Sequence, residues 1–284
     1  MGKVKIVTNA VCDLSPKKAA HLGIYMIPET VIFEDEQFRT GIDLAPAELY
    51  EKLRAAKELP TGAHPNVAGY LDAFREAGKD ADEVLCVNMT SRMSGSFSTA
   101  CIARDMLEEE GFHAKIYTYD SLQLCSGLAI LVLEAVRLSE EGCSASEIIE
   151  GLDKIRGKIG VYFIMRSLQN AKKGGRVGAI RVLAADTLGV KPVLMFRDGI
   201  VSDVGIARNY KLGLQKIISY YEQRAERGKE AFIFQANNLP DAEFVKAELL
   251  RIDPEATVHI EWIGPGIGIY TGEGAVGIAF HEKA

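Results

Sequence analysis

The sequence predicts an α/β protein of two domains, an N-terminal α/β sheet domain with crossover helices and a C-terminal mixed α+β domain. Short apolar stretches alternate with helical patterns through the first half of the chain, which is typical of a sheet joined by crossover helices. After Gly160 a hairpin pattern mixed with helices replaces this rhythm. We place the boundary in the glycine-punctuated stretch Gly157–Gly160, which gives domains at residues 1–157 and 158–284.

Four apolar stretches bounded by turn residues predict the N-terminal strands: Val4–Thr8, Met26–Phe33, Val84–Met89 and Lys115–Tyr119. Three helices are also predicted there. Asn66 is a typical N-cap for Val67–Ala77, apolar residues recur at helical spacing from Leu128 to Leu138, and a third helix begins at Ser144 or Ser146 and ends near Gly157.

The C-terminal half begins with a predicted strand over Val161–Met165. A hairpin follows, because two apolar stretches flank an Asp-Gly pair that favours a tight turn. The later elements are the hairpin strands Val190–Phe196 and Ile200–Ile206 around Asp198-Gly199, a helix from Asn209 to Arg227, a strand over Ala231–Gln235, a helix over Pro240–Arg251 and two final strands.

Length and composition are those of a globular protein and argue against several classes. The 284 residues are 48% hydrophobic and 25% charged, and a net charge of −6 gives no support to nucleic-acid binding. The chain starts directly on a strand pattern, and its longest apolar stretch, Leu128–Leu133, is far too short for a membrane span. Five scattered cysteines without a C-x-x-C pair predict reduced thiols. We therefore expect a cytoplasmic protein without membrane insertion.

The stretch from Glu83 to Gly111 carries the clearest functional pattern. An apolar strand leads into a hydroxyl-rich loop around Gly95, and the loop opens a helix. Helix N-termini have unpaired N–H groups and a partial positive charge, so such a loop can hold a carboxylate or a phosphate without a lysine. Serine and threonine are also ordinary helix caps, so a structural role stays open at this point. The hydroxyls belong to Thr90, Ser91, Ser94, Ser96 and Ser98.

A basic turn, Lys172–Arg176, follows a short helical pattern over Ser167–Ala171. Its lysines suit a helix C-terminus and Gly174 suits the position after it, which is a structural explanation. The functional alternative is a surface that meets a phosphate or an acidic partner, to which Arg208 and Lys211 would contribute. Arginine's planar fork suits phosphate and carboxylate groups.

The remaining patterns predict neither a cofactor nor a metal nor a catalytic residue. Gly272, Gly274 and Gly277 fit G-x-G-x-x-G, but a strand pattern follows them, whereas a dinucleotide-binding fingerprint opens a helix. The five histidines lack metal-ligand spacing, and the chain has no P-loop or G-x-S-x-G motif.

Taken in order, several short motifs together resemble the DegV family of bacterial fatty-acid-binding proteins, and the resemblance covers nearly the whole sequence. The motifs are Thr8–Leu14, Leu59–Pro65, Ser91–Ala100, Tyr119-Asp120-Ser121, Ser167–Val177, Val190-Lys191-Pro192 with Asp198-Gly199, Arg208 and a final glycine-rich strand pair.

The resemblance implies the two-domain DegV-like fold and a non-enzymatic carrier that buries a long-chain fatty acid or a similar lipid. In related proteins the carrier presents the acyl carboxylate to a separate fatty acid kinase, which is the implied partner. Ser94 is the best match to the head-group serine, and Arg176 and Arg208 match arginines that face the kinase or the phosphate. The other predicted head-group residues are Ser91, Ser96, Thr61, Gly62, His64 and Tyr270.

The sequence departs from the family at several head-group positions. The family's opening Thr-Asp-Ser is Thr8-Asn9-Ala10 here, and its Thr-Ser-Gln-Pro loop aligns with Gly62-Ala63-His64-Pro65, so Thr61 substitutes only if the loop shifts by one residue. A late family histidine aligns with Tyr270 and a following proline with Glu273. Arg92 and His64 are candidates to replace the missing partners.

Three classes of function follow. The first is the fatty-acid carrier, or a divergent binder of a lipid-like ligand with another head group. The second is a serine-dependent acyl hydrolase or transferase, for which His64 is the only candidate base. The third is a structural or regulatory interaction protein that uses the basic turn.

Overall fold

The structure is a computed structural model that describes residues 4–177 and 189–283. These residues form three sheets with helices around and between them, which confirms the predicted α/β class. The domain boundary near residue 157 stays a prediction.

The strands are β1 (Lys5–Asn9), β2 (Tyr25–Ile27), β3 (Thr30–Phe33), β4 (Glu36–Arg39), β5 (Thr61–Ala63), β6 (Glu83–Asn88), β7 (Lys115–Asp120), β8 (Ile159–Ile164), β9 (Lys191–Arg197), β10 (Ile200–Ala207), β11 (Glu230–Gln235), β12 (Thr257–Trp262) and β13 (Val276–His281).

The helices follow most of the strands and connect them. They are a 3₁₀ helix at Ala10–Cys12 and the α-helices α1 (Pro16–His21), α2 (Pro46–Ala55), α3 (Val67–Gly78), α4 (Ser96–Glu109), α5 (Cys125–Glu140), α6 (Ala145–Arg156), α7 (Gln169–Lys173), α8 (Tyr210–Arg224), α9 (Leu239–Ile252) and α10 (Pro265–Thr271).

A parallel sheet with the strand order β2-β1-β6-β7 forms the N-terminal layer. Its strands are apolar because helices cover both faces. Helices α3 and α4 pack on one face around the fully buried Tyr70, Phe74 and Leu107, and α5 and α6 pack on the other. Since the strands are parallel, the carboxyl ends of β1, β6 and β7 meet at one edge, where open α/β sheets bind their ligands.

A mixed sheet with the order β10-β9-β8-β13-β11-β12 forms the C-terminal layer. Neighbouring strands run antiparallel except for β11 and β12. Helices α8 and α9 cover one face, while α5 lies between the other face and the parallel sheet and contacts strands of both. The sequence predicted one apolar face for α5. The helix is buried around most of its circumference because two sheets enclose it.

The stretch Met26–Phe33 does not form the single strand that its apolar pattern predicted. It divides into β2, in the parallel sheet, and β3, in a small antiparallel sheet with the order β4-β3-β5. The division falls at Pro28-Glu29, because Pro28 has no N–H to donate and the Glu29 N–H donates to the Thr40 hydroxyl at 3.0 Å. Thr61–Ala63, expected in a loop, forms β5 of this sheet.

The final glycine-rich segment is a helix followed by a strand rather than a strand pair. Pro265 occupies the first turn of α10, where its missing N–H is not needed. Gly268 lets α10 approach α2, because a Cβ there would lie 2.4 Å from Leu49 Cδ2. The predicted Asp198-Gly199 turn does join β9 to β10, with φ values of 51° and 79° that suit a tight hairpin.

Candidate functional site

A cavity of about 560 Å³ lies against the carboxyl edge of the parallel sheet, within the size range of small-molecule sites. The loop after β6, the small sheet, the start of α5, helix α10 and the inner face of the mixed sheet enclose it. Its wall divides into an apolar part, contributed mainly by the mixed sheet, and a polar part, contributed by the loops and α10.

The apolar floor of the cavity consists of side chains from the mixed sheet. Along β8 and β9 alternate residues point to opposite faces, so Val161 and Phe163 face the cavity while Tyr162 is buried in the core under α8. Every floor residue is at least nine-tenths buried. We define the apolar floor as Val161, Phe163, Leu194, Phe196, Val201 and Phe234.

The opposite part of the wall is polar and opens to the outside. We call Ser91, Ser94, His64, Tyr270 and Arg176 the polar mouth. Three of these residues are exposed and two, Ser94 and Tyr270, are half-buried. The structure therefore brings these five predicted site residues, together with Gly62, onto one cavity wall.

The hydroxyl-rich loop places Ser94 at the start of α4. The Ser94 Oγ accepts a hydrogen bond from the Ser96 N–H at 3.2 Å and lies 3.0 Å from the Ser96 Oγ. The His64 ring packs on Gly95, since a Cβ there would lie 3.0 Å from the ring. Glycine at this position thus lets the imidazole pack closely on the loop.

Two polar side chains at the ends of the parallel strands hold this loop in place. Asn9 accepts from the Met89 N–H at 3.0 Å and donates to the Tyr70 hydroxyl at 2.9 Å. Asp120 accepts from the N–H groups of Ser91 and Leu122, each at 3.1 Å. Asn9, which stands where the family has an aspartate, therefore has a structural role beneath the mouth.

Arg92, a candidate replacement for a missing head-group partner, does not line the cavity. Its guanidinium donates to the Asp198 carbonyl at 2.7 Å, and the neighbouring Thr90 hydroxyl donates to the Gly199 carbonyl at 3.0 Å. These bonds join the hydroxyl-rich loop to the β9–β10 turn, so they connect the mouth with the mixed sheet.

Tyr270 and Arg176 form one side of the mouth. The Arg176 guanidinium lies 5.1 Å from the centre of the Tyr270 ring, within cation–π range, and donates to the Gly174 carbonyl at 2.6 Å. The left-handed residue after α7 is Gly175, with φ 69°, rather than the predicted Gly174. A Cβ at Gly62 would lie 3.0 Å from the Tyr270 hydroxyl, so the glycine makes room for the tyrosine.

Three predicted site residues lie off the cavity wall. Thr61 is exposed on β5 opposite Ile32, and Ser96 is buried behind Ser94. Arg208 is exposed beside a separate shallow depression between β10 and α8. The partner-facing role of Arg176 and Arg208 stays a prediction.

The sequence interpretation missed Glu29, which lines the cavity although it is only 6% exposed. Its Oε2 accepts from the Thr40 hydroxyl at 3.0 Å. Its Oε1 has no hydrogen-bond partner among the described residues. Burial raises the pKa of Glu29 to about 7, against the lowering effect of its own N–H, the Thr40 hydroxyl and the Val11 N–H.

Asp13 is a second buried acid nearby, on the other side of the start of α10. It accepts from the Gly264 N–H at 2.8 Å. Burial raises the pKa of Asp13 to about 7, with smaller contributions from the charges of Glu261 and Glu29. Two acids held out of water beside one helix are an unusual feature of an otherwise apolar region.

Two other kinds of feature are absent from residues 4–177 and 189–283. No cluster of three or more histidine, cysteine or acidic side chains there is arranged to hold a metal ion. No described helix combines the length and the apolar character that crossing a bilayer requires. The cytoplasmic location stays a prediction.

Comparison with known proteins agrees with the fold and the cavity. A family model described as "Uncharacterised protein, DegV family" matches residues 3–283. A DegV domain-containing protein of Halalkalibacterium halodurans is 30% identical over 99% of both chains. The crystal structure of DegV, a fatty acid binding protein from Bacillus subtilis, superposes with a TM-score of 0.88 at 27% identity over the full length of both chains.

A third likeness concerns the fold alone. The Streptococcus pneumoniae fatty acid kinase (Fak) B3 protein, whose structure was solved loaded with linoleic acid, gives a TM-score of 0.87 at 22% identity, covering 99% of this chain and all of the other. The full-length family match and the 30% identical relative are the evidence on which we assign the chain: it belongs to the DegV family.

Proposed function

We propose that this chain is a non-enzymatic carrier that binds a long-chain fatty acid in the cavity, with the carboxylate in the polar mouth and the acyl tail on the apolar floor. One observation carries the proposal: a buried apolar floor leads to a single hydroxyl-rich mouth that opens outward. An amphiphile with one polar end matches this division. The Ser94 hydroxyl and the open N-terminus of α4 are the donors we assign to the carboxylate.

The energetics favour the tail as the source of affinity. Burying one methylene contributes about 0.8 kcal/mol, so a tail of about fourteen methylenes supplies roughly 11 kcal/mol before costs. A hydrogen bond to a charged group contributes roughly 1.5–3 kcal/mol. The family head-group partners that are absent here would therefore change specificity and weaken binding, but the tail would still hold a ligand.

We further propose that the mouth presents the carboxylate to a separate fatty acid kinase. A kinase must reach the carboxylate, and three of the five mouth residues are exposed. Arg176 and the exposed Lys172 and Lys173 form a basic rim beside it, which suits an acidic partner or the phosphate of the product. Arg208 would contribute from the β10–α8 side, away from the cavity.

A serine-dependent acyl hydrolase is the second candidate, and its chemistry needs a base next to the nucleophile. His64 and Ser94 both line the mouth, yet no hydrogen bond joins His64 to Ser91, Ser94 or Ser96 in the described structure. The observation that favours a divergent head group, by contrast, is Glu29, which introduces an acid into the cavity wall.

Native mass spectrometry of the purified protein, before and after organic extraction, tests the proposal. We expect one fatty acid per chain, and its length will report the size of the tunnel. A different stoichiometric lipid would keep the carrier function and change the head group. No bound lipid, together with failed loading by added fatty acids, would contradict the carrier and favour an interaction protein or an enzyme with a smaller substrate.

A further inference from the structure

Glu29 has an unsatisfied acceptor that faces the cavity. The side chain is more than nine-tenths buried, and only Oε2 has a hydrogen-bond partner, the Thr40 hydroxyl. Leaving a buried polar atom unpaired is costly, and more so when the atom is charged. The free Oε1 is therefore an open acceptor beside the cavity, and a ligand with a hydrogen-bond donor can pair with it.

Glu29 lies at the same end of the cavity as the polar mouth. Its neighbour Thr30 pairs with Ala63, the last residue of β5, and His64 follows directly in the chain. On α10, a Cβ at Gly266 would lie 3.5 Å from the Glu29 carboxylate, and Tyr270 follows one helical turn later. Both elements beside Glu29 therefore continue into residues of the mouth, and Glu29 lines the same cavity.

The charges at this end restrict the chemistry of the donor. An ammonium group would be attracted by Glu29, but it would also meet the positive charge of Arg176, the basic member of the mouth. A second carboxylate would be repelled by Glu29 itself. A hydroxyl group is a neutral donor, and its bond to a carboxylate oxygen is among the strong ones.

We propose that the ligand is a fatty acid with a hydroxyl group close to its carboxyl end, and that Glu29 accepts the hydrogen bond of this hydroxyl. The inference rests on the proposed carrier function and makes it more specific: Ser94 and the N-terminus of α4 hold the carboxylate, and Glu29 selects the hydroxylated chain. Glu29 is then a specificity-determining residue for the lipid class.

The test is a competition experiment by native mass spectrometry with the full chain. Hexadecanoic acid competes against the same acid hydroxylated at the second, the third or the penultimate carbon. We expect the protein to prefer one of the first two over the plain acid by roughly tenfold to a hundredfold, as one charge-assisted hydrogen bond provides. The penultimate hydroxyl, placed on the apolar floor, should weaken binding.

Two variants and one control locate the effect. Glu29→Leu should bind the plain acid more tightly than the wild type does and should lose the preference for the hydroxylated acid. Glu29→Gln keeps the shape and an acceptor oxygen, so it should retain a smaller preference for the hydroxylated acid. Asp13→Asn is the control, because Asp13 is a buried acid that does not line the cavity. It should keep the wild-type preference. Thermal unfolding checks that each variant is folded.

The possible failures are distinguishable. Equal binding of plain and hydroxylated acids would overturn the inference and leave the carrier function standing. Weaker binding of the plain acid by Glu29→Leu would also overturn it, because Glu29 would then assist the carboxylate itself, as a neutral acid that donates its proton. Failure of every acyl acid to bind the wild type would overturn both proposals.

Discussion

The apolar floor and the polar mouth are built from different layers and by different physical means. The floor consists of side chains on regular strands, where alternation alone turns Val161, Phe163 and Leu194 inward. The mouth consists of loops and helix ends, held by side chains such as Asn9 and Asp120 that lie below it. Binding of an apolar tail therefore needs only a correctly patterned sheet, whereas selection of a head group depends on many individual hydrogen bonds.

The largest expected effect is the change of stability with pH. Buried acids lie beside the mouth, whereas none lies on the floor. The pKa values of Glu29 and Asp13 are raised to about 7 in the folded protein, so the folded state binds more protons than the unfolded state between about pH 4 and pH 7. The free energy of unfolding should therefore fall as pH rises from about 4 to about 7, by an amount on the order of a few kcal/mol. Denaturant unfolding of delipidated protein measures it.

His281 opposes this trend near neutral pH, and at lower pH so do Glu134 and Glu230, whose pKa values are lowered by Arg137 and His259. Burial lowers the pKa of His281, and a histidine kept neutral by folding adds stability as pH rises. Glu29→Gln identifies the acids as the cause, since it should flatten the decline between about pH 4 and pH 7. If the free energy of unfolding of both Glu29→Gln and Asp13→Asn fell with pH as steeply as that of the wild type, these acids would not be the cause. That result would contradict this account of the mouth.

A bulky residue on the floor should shorten the longest tail that binds. Leu194 is fully buried and lines the cavity, so Leu194→Trp should displace about three methylenes, which corresponds to roughly 2.4 kcal/mol or a loss of affinity of about fiftyfold. Titration with saturated acids of increasing length measures the cutoff.

Leu194→Met, which conserves volume, is the matched control and should keep the wild-type cutoff. An unchanged cutoff in Leu194→Trp, in a protein that unfolds at the wild-type temperature, would mean that the tail does not lie on the floor.

The serine of the mouth should have a smaller effect. Ser94→Ala removes one hydrogen bond to the carboxylate and should weaken fatty-acid binding by roughly tenfold to a hundredfold. The cutoff in chain length should not move. Thr99→Val is the control, because the Thr99 hydroxyl bonds the Gly95 carbonyl and lies outside the cavity wall. Equal affinities of Ser94→Ala and the wild type would remove Ser94 from the head-group site.

The smallest effect on lipid binding is expected at the rim. Arg176→Ala loses a cation–π contact with Tyr270, worth about 0.5–1 kcal/mol at an exposed site, so lipid affinity should change by less than about fivefold. Phosphorylation of the bound acid by a cognate fatty acid kinase should fall strongly. Arg208→Ala should not alter lipid affinity, because Arg208 does not line the cavity. A large loss of lipid binding in Arg176→Ala would instead place this arginine in the head-group site.

The regular features of the molecule could be predicted from the sequence, and the buried polar ones could not. The Asp198-Gly199 turn and the hydroxyl-rich loop have local signatures, and both are present in the structure. Glu29 has none: it lies in the apolar stretch Met26–Phe33, and only the approach of Thr40 and α10 shows that its carboxylate is buried with one oxygen unpaired.

Helix α10 is a second feature that the sequence alone does not predict. Four glycines between residues 263 and 273 argue against a helix, and this stretch was predicted as part of a strand pair. The small residues instead let α10 pack closely on α2 and beside Glu29, so tertiary contacts outweigh propensity there. Thr61 was proposed for the head group by alignment, yet its strand pairing leaves it exposed.

The central claim, that the mouth holds the carboxylate and the floor holds the tail, is tested most directly by NMR of a bound fatty acid labelled either at the carboxyl carbon or at the terminal methyl. A soluble paramagnetic agent is added to both complexes. The account predicts that the carboxyl signal broadens, because the mouth is open, while the methyl signal stays sharp on the buried floor. A protected carboxyl signal with a broadened methyl signal would mean that the ligand binds in the opposite direction, and would contradict the account.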